Sequence, residues 1–230
     1  MPRDTATTAR SRSDGPARLS RERIVAAAVT IADREGVDAV SMRRIGQELG
    51  VDPMSLYRHV VGKDGLLDAM TDAVVAEIEP VTDAGDWLAS ARATMLAARR
   101  VMLRHPWTAD VLKAHPSPTP AGLRHLDALL GILREGGLDV ELIHHAIHVL
   151  GSRILGFSQD LYDDGDDVRP DPEQAALQAR QWATSLPRLA ELAVSVTHEG
   201  ALGGCDDDAE FAFSLDLILE GLERRRAGAG

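Results

Sequence analysis

The sequence predicts an all-α chain made of a small N-terminal domain and a larger helical one, and three observations carry that expectation. Apolar residues recur three and four apart along most of the chain, and no segment alternates apolar and polar residues as a half-buried strand does. Pro and Gly then cut the periodic stretches into helix-length pieces. With 230 residues the chain can form one small and one medium core.

Residues 1–18 hold Ser, Thr, Ala and Arg without periodicity and read as a disordered tail. From Ser20, Ile24, Ala27, Ala28 and Ile31 follow helical spacing, Glu22 suits the positive end of the helix dipole, and Gly36 stops the helix. Ser41 can cap a second helix whose apolar stripe is Ile45 and Leu49, with Gly50 ending it. Asp52 caps a third, and Pro53 stands at its first position, where the missing N–H costs nothing. Leu56 and Val60 face inward. A helix, a glycine-bearing turn and a capped second helix form a helix-turn-helix, whose second member enters the DNA major groove. An ordinary helical hairpin is the alternative.

Residues 53–59, read as one helical rod, would rise about 10 Å, comparable with a groove roughly 12 Å wide. Arg43, Arg44 and Lys63 suit phosphates, which give affinity and salt dependence. Pro53, Met54 and Ser55 are placed for base edges, and Arg58 can read guanine or hold phosphate. The expected DNA-contacting set is Met42, Arg43, Arg44, Pro53, Met54, Ser55, Tyr57, Arg58, His59 and Lys63. On this reading residues 19–65 are the DNA-binding domain and 66–230 the regulatory and dimerisation part. The tail has a second reading, an arm carrying Arg10, Arg12 and Arg18 to a minor groove or to phosphates.

The run EGVDAVSMRRIGQELGV followed by LYRHVVGKDGLLDAM resembles the DNA-binding domain of tetracycline-repressor-type regulators. Leu56, Tyr57, His59, Val60, Lys63, Leu66 and Leu67 occupy the places of that pattern, and FAFSLDLILEGLERR is similar to the tetracycline repressor's last helix. The resemblance implies that Tyr57 and His59 bind phosphate, that the protein is a dimer, and that a small inducer enters a cavity between the middle helices. The repressor's metal-coordinating histidine falls at Val111, Leu112 or Lys113, with His115 just beyond, and its acid on the long helix is roughly matched by Asp160. A magnesium-chelate mode of recognition is therefore not implied. Nor is the repressor's operator, since Pro53 replaces a glutamine.

The fourth helix, from Lys63 to about Ile78 before Pro80, joins the two parts and is the natural lever between them. Further helices are expected at 86–104, 107–113, 120–134, from Asp139 to about Tyr162, at 173–185, at 187–198 and at 207–226, with DDGDDVRPDP as a loop. The long and last helices carry more apolar surface than one side needs, so Ile143, Ile147, Ile154, Phe211, Leu215, Ile218 and Leu222 are expected at a dimer interface. A fully internal pair of helices is the alternative. A two-fold dimer would present two recognition helices to a near-palindromic double-stranded operator.

Met95, Met102, Trp107, His125, His148, Phe157 and Trp182 are the expected lining of an effector pocket, being large, adaptable or amphipathic. His144 and His148, four apart, have a spacing that can ligate metal, with packing or pocket polarity as the alternative.

The net charge of −11 divides unevenly: residues 1–65 hold 11 Lys/Arg against 9 Asp/Glu, and the remainder 14 against 27. The acidity thus sits away from the DNA-facing part. A lone cysteine, Cys205, excludes an internal disulfide and a cysteine-cluster metal site. No apolar run spans a bilayer and none makes a signal core, so a cytoplasmic protein without membrane contact is expected. No cofactor or metal is implied, and no phosphate-cradling loop, zinc-protease motif or nucleophile elbow favours an enzyme. A ligand-responsive regulator, most naturally a repressor, is the reading. An architectural DNA binder without ligand, and an enzyme acting on small molecules, are the alternatives.

Overall fold

The computed structural model describes residues 18–114, 118–156, 172–188, 190–191 and 207–228, and among them every regular element is a helix. Arg10, Arg12, His115, Phe157, Asp160, Cys205 and residues 192–198 lie outside the described residues. Compact units part between Met70 and Thr71, rather than after Gly65.

In the first unit, α1 (Arg21–Glu35) starts where the Ser20 hydroxyl accepts from the Arg23 amide and ends at Gly36, φ 84°. Its buried stripe holds Ile24, Ala28 and Ile31, spaced as predicted. A 3-10 turn over Val37–Ala39, which periodicity does not reveal, leads to α2 (Met42–Leu49), α3 (Pro53–Leu56) and α4 (Gly62–Val75). α2 packs against α1 and α3. The buried side chains Ile45, Leu56, Val60, Leu66, Leu67 and Met70 show why the unit extends to Met70: α4's first two turns supply part of its apolar interior.

The second unit contains α5 (Trp87–Arg104), α6 (Trp107–Ala114), α7 (Pro120–Glu135), α8 (Val140–Gly156), α9 (Pro172–Ser185) and α10 (Asp207–Gly228). Caps fix the starts of three. The Asp86 carboxylate accepts from the Ala89 amide at 2.8 Å, the Thr119 hydroxyl from Gly122 at 3.1 Å, and Asp139 from Leu142 at 2.7 Å. α5 packs on α7, α8 and α10, and α8 on α6, α7 and α10. Their shared core holds Met95, Leu133, Leu138, Ile143, Leu150, Phe211 and Leu215. α10 is further tied to α5 by a two-pronged Arg92–Asp216 pair, 2.7 and 3.2 Å. The guanidinium groups of Arg99 and Arg153 lie over the Phe211 ring, 4.6 and 4.9 Å from its centre.

This packing corrects the expected dimer stripe. Ile143, Phe211, Leu215 and Leu222 are buried in the chain's own core, and Ile147, Ile154 and Ile218 are half-buried against the same core. The more regular stripe of each helix was taken by α5 and by the other helix, because intramolecular packing claims the widest apolar face first. The large apolar side chains that α8 and α10 expose instead are Val140 (72%), Val149 (48%), Phe213 (62%) and Leu217 (50%). No helix among the described residues is long and apolar enough to cross a membrane.

Candidate nucleic-acid interface and effector site

The turn between α2 and α3 is built by backbone chemistry that the sequence encodes locally. The Ser41 hydroxyl accepts from the Arg44 amide at 3.2 Å and opens α2. Gly50, φ 67°, closes it: its amide donates to the Gln47 carbonyl and the Val51 amide to the Gly46 carbonyl, which together satisfy two terminal carbonyls. The Asp52 carboxylate then accepts from the Met54 amide at 2.7 Å, with Pro53 at the first helical position. Gly46, which the sequence reading passed over, makes the close approach workable. A Cβ there would stand 2.9 Å from the Val51 carbonyl oxygen and 3.1 Å from Pro53 Cγ.

α3 is shorter than the predicted seven-residue rod. Regular α-helix ends at Leu56, and the chain continues as a turn in which the amides of His59 and Val60 both donate to the Leu56 carbonyl. So short a segment gains few hydrogen bonds against its ordering cost, and the valines at 60 and 61 followed by Gly62, φ 71°, divert the chain. Its outer face is open: Met54 is 72% exposed, Tyr57 and Arg58 are exposed, and Pro53, Ser55 and His59 are half-buried. Val61, also unforeseen, is exposed beside them. The Ser55 hydroxyl donates back to the Asp52 carbonyl at 2.6 Å, so only its lone pairs remain for a partner.

The cations differ in their freedom. Arg43 and Lys63 are exposed and form no ion pair among the described residues, and Met42 is half-buried. Arg44 is committed elsewhere. Its guanidinium grips Glu35 at 2.7 and 3.2 Å and Glu48 at 2.9 Å, tying the end of α1 to α2. The hydrogen bonds from Arg44, then from Arg34, hold the Glu35 carboxyl down at about 2. Arg44 thus acts as a clamp with its charge offset, contrary to the expected free phosphate contact.

In the second unit the expected effector residues scatter in character. Met95 lies in the core and Trp107 is buried with its ring edge-on to His105; Met102, His125 and Trp182 are half-buried. His148 is exposed on the outer side of α8, which removes it from an interior lining. Val111 is buried on α6, Leu112 half-buried, and Lys113 exposed near Asp110.

Thr71 Oγ1 on α4, Thr108 Oγ1 on α6 and His125 Nδ1 on α7 are buried polar atoms with no hydrogen-bond partner among the described residues. Thr71 and Thr108 escaped the sequence reading because threonine on a helix carries no distinguishing pattern. Such groups cost about 1–3 kcal/mol each if left unpaired. Burial pushes the His125 imidazole below its ordinary value, favouring the neutral ring, which can donate or accept. One polar contact joins α4 to α7, and another ties the segment after α4 to the end of α5. The Asp72 carboxylate accepts from the Ala121 amide at 2.6 Å, and Glu77 meets Arg104 at 2.7 Å and His105 at 3.5 Å.

Comparison with known proteins gives this arrangement a family. Residues 24–70 match the family described as bacterial regulatory proteins, tetR family, and residues 79–226 match the tetracyclin repressor-like C-terminal domain. The HTH-type transcriptional repressor DrrR1 of Streptomyces coeruleorubidus is 34% identical over 94% of this chain and 82% of its own length. The class C tetracycline repressor protein of Escherichia coli is 25% identical over 91% of this chain and 93% of its own. Among solved structures, apo ActR from Streptomyces coelicolor superposes with a TM-score of 0.74 at 29% identity, covering 95% of this chain and all of ActR. ActR in complex with actinorhodin gives 0.72 at 32% identity, covering 93% of this chain and all of ActR. With a capped helix-turn-helix ahead of a helical domain matched along most of its length, the chain belongs to the TetR family of transcriptional regulators.

Proposed function

We propose that this regulator is a cytoplasmic repressor that binds a near-palindromic operator as a homodimer and leaves it when a small molecule occupies the second unit. The observation that carries the reading is the open face of α3, where Met54, Tyr57 and Arg58 stand out from a turn locked by Gly50, Asp52 and Gly46. Arg43 and Lys63 supply phosphate contacts, as do Tyr57 and His59; Pro53, Met54 and Ser55 meet base edges. The exposed apolar side chains Val149, Phe213 and Leu217 pair with their two-fold mates, so that the dimer brings two recognition helices to one operator.

Induction follows from linkage. A ligand that binds the DNA-incompetent state better lowers operator affinity by the same factor by which DNA lowers ligand affinity. Thr71, Thr108 and His125 are the polar groups available to such a ligand, with Met102 and Trp107 as apolar lining. Because ActR is solved with actinorhodin, that compound is the first ligand to try. Reading the protein as a regulator assigns it no catalytic step.

The test is selection of bound sequences from random duplexes, followed by titration of the recovered operator. An inverted repeat bound by two chains and released by actinorhodin or another small molecule supports the reading. Recovery of no sequence preference, with binding indifferent to every ligand tried, would instead favour an architectural role.

A further inference from the structure

α8 carries three histidines, His144, His145 and His148, all exposed. Its inward side is made by Ile143, Ala146 and Leu150, so these rings face away from the core. They have neither a hydrogen bond nor an ion pair among the described residues; their ring contacts are with one another. Neither core packing nor a polar network accounts for them.

Their spacing is selective. Residues four apart on a helix stack on one face. The His144 and His148 ring centres lie 4.7 Å apart with planes at 78°, whereas those of His144 and His145 are 5.7 Å apart. With metal–nitrogen distances of about 2.1 Å, two imidazoles sharing one ion at roughly 90–110° place their ring centres about 4.5–5.2 Å apart. The first pair falls within that interval and the second outside it.

We propose that His144 and His148 form a surface site for a borderline divalent transition-metal ion, copper(II) or zinc(II) being the best matched. Neutral imidazole prefers these ions to magnesium or calcium, which seek oxygen, and copper(II) tops the affinity order. No cluster of three or more His, Cys, Asp or Glu side chains suited to a metal exists among the described residues. The site therefore has two protein ligands, with water completing the shell. Both ligands belong to one helix of one chain, so the site needs no residue of a second copy and does not rest on the effector reading. A net charge of −11 favours the approach of any cation.

The experiment uses the full-length chain without a histidine tag, in a Cys205→Ser background that removes the competing thiol. Copper(II) is titrated by calorimetry and its coordination read by electron paramagnetic resonance; zinc(II) and magnesium(II) are titrated in parallel. Expected are one tight copper(II) per chain with two nitrogen ligands, weaker zinc(II) and no magnesium(II). His144→Gln and His148→Gln should each weaken copper(II) about tenfold or more, since each leaves one tethered imidazole, while His145→Gln should not. Circular dichroism confirms that the exposed substitutions keep their helicity. Unchanged affinity in both variants, an equal loss in His145→Gln, or a single-nitrogen spectrum would overturn the assignment.

Discussion

The two units place their working surfaces in opposite ways. Around α3 the proposed DNA-contacting side chains are those that folding leaves outside, and residues within a dozen positions hold them: Ser41, Gly46, Gly50 and Asp52. Around α8 and α10 the side chains that dominate the sequence pattern are consumed by folding. Phe211, Leu215 and Ile143 vanish into the core, and the large apolar side chains left outside are Val140, Val149, Phe213 and Leu217. A surface set by caps and turns is specified by residues close in sequence, whereas one left over from packing is specified only by distant partners.

The sharpest break of this contrast compares two leucines two positions apart on α10. Leu215→Ala removes a fully buried side chain and should cost about 2–5 kcal/mol of stability, read by denaturant titration. Leu217→Glu, on the exposed face, should keep helical content but convert the proposed dimer to monomer in sedimentation, and weaken operator binding as the second half-site contact is lost. If Leu217→Glu sediments as wild type, the interface lies elsewhere. In the first unit Gly46→Ala drives a Cβ against the Val51 carbonyl, which belongs to the backbone and cannot swing aside. A loss of about 1–3 kcal/mol is expected, with operator affinity falling while the second unit's dimerisation persists.

Most of the fold was legible because helix starts and stops are local. Ser20, Ser41, Asp52, Asp86 and Asp139 each cap as their chemistry dictates, and Gly36 and Gly50 adopt the positive φ that ends a helix. The candidate interface was legible for the same reason, except where a charge found an unforeseen partner. Arg44 looked available because Glu35 is nine residues away and belongs to another helix. The dimer stripe was misplaced because periodicity identifies an apolar face without naming its neighbour. Thr71 and Thr108, buried with no hydrogen-bond partner for their hydroxyls among the described residues, left no sequence signal, and His125 raised only a suspicion.

A smaller effect separates the cations of the first unit. Arg43→Ala should weaken binding to all duplexes and lower the salt slope by about one, as expected for one lost phosphate contact. Met54→Ala should change preference at one base position instead, leaving the salt slope intact. Arg44→Ala should lower the melting temperature of the first unit because it releases Glu35 and Glu48. If the Arg43 and Arg44 variants trade these phenotypes, the division between free and clamped guanidinium is wrong.

The faintest expected signal belongs to His125, and its sign is fixed by burial. The folded chain disfavours the imidazolium, so the ring titrates below its ordinary value of 6.5. The unfolded chain takes up the proton first, and stability that is fully present above pH 6.5 declines as pH falls through that value toward the folded one. His125→Gln keeps a polar side chain without the titration. Its melting temperature should therefore fall less than that of wild type between pH 7.5 and 5.5. Parallel slopes would mean that the ring gains a partner on protonation. A ligand that hydrogen-bonds Nδ1 of the neutral ring should steepen the wild-type slope, because it moves the folded titration further below the unfolded one.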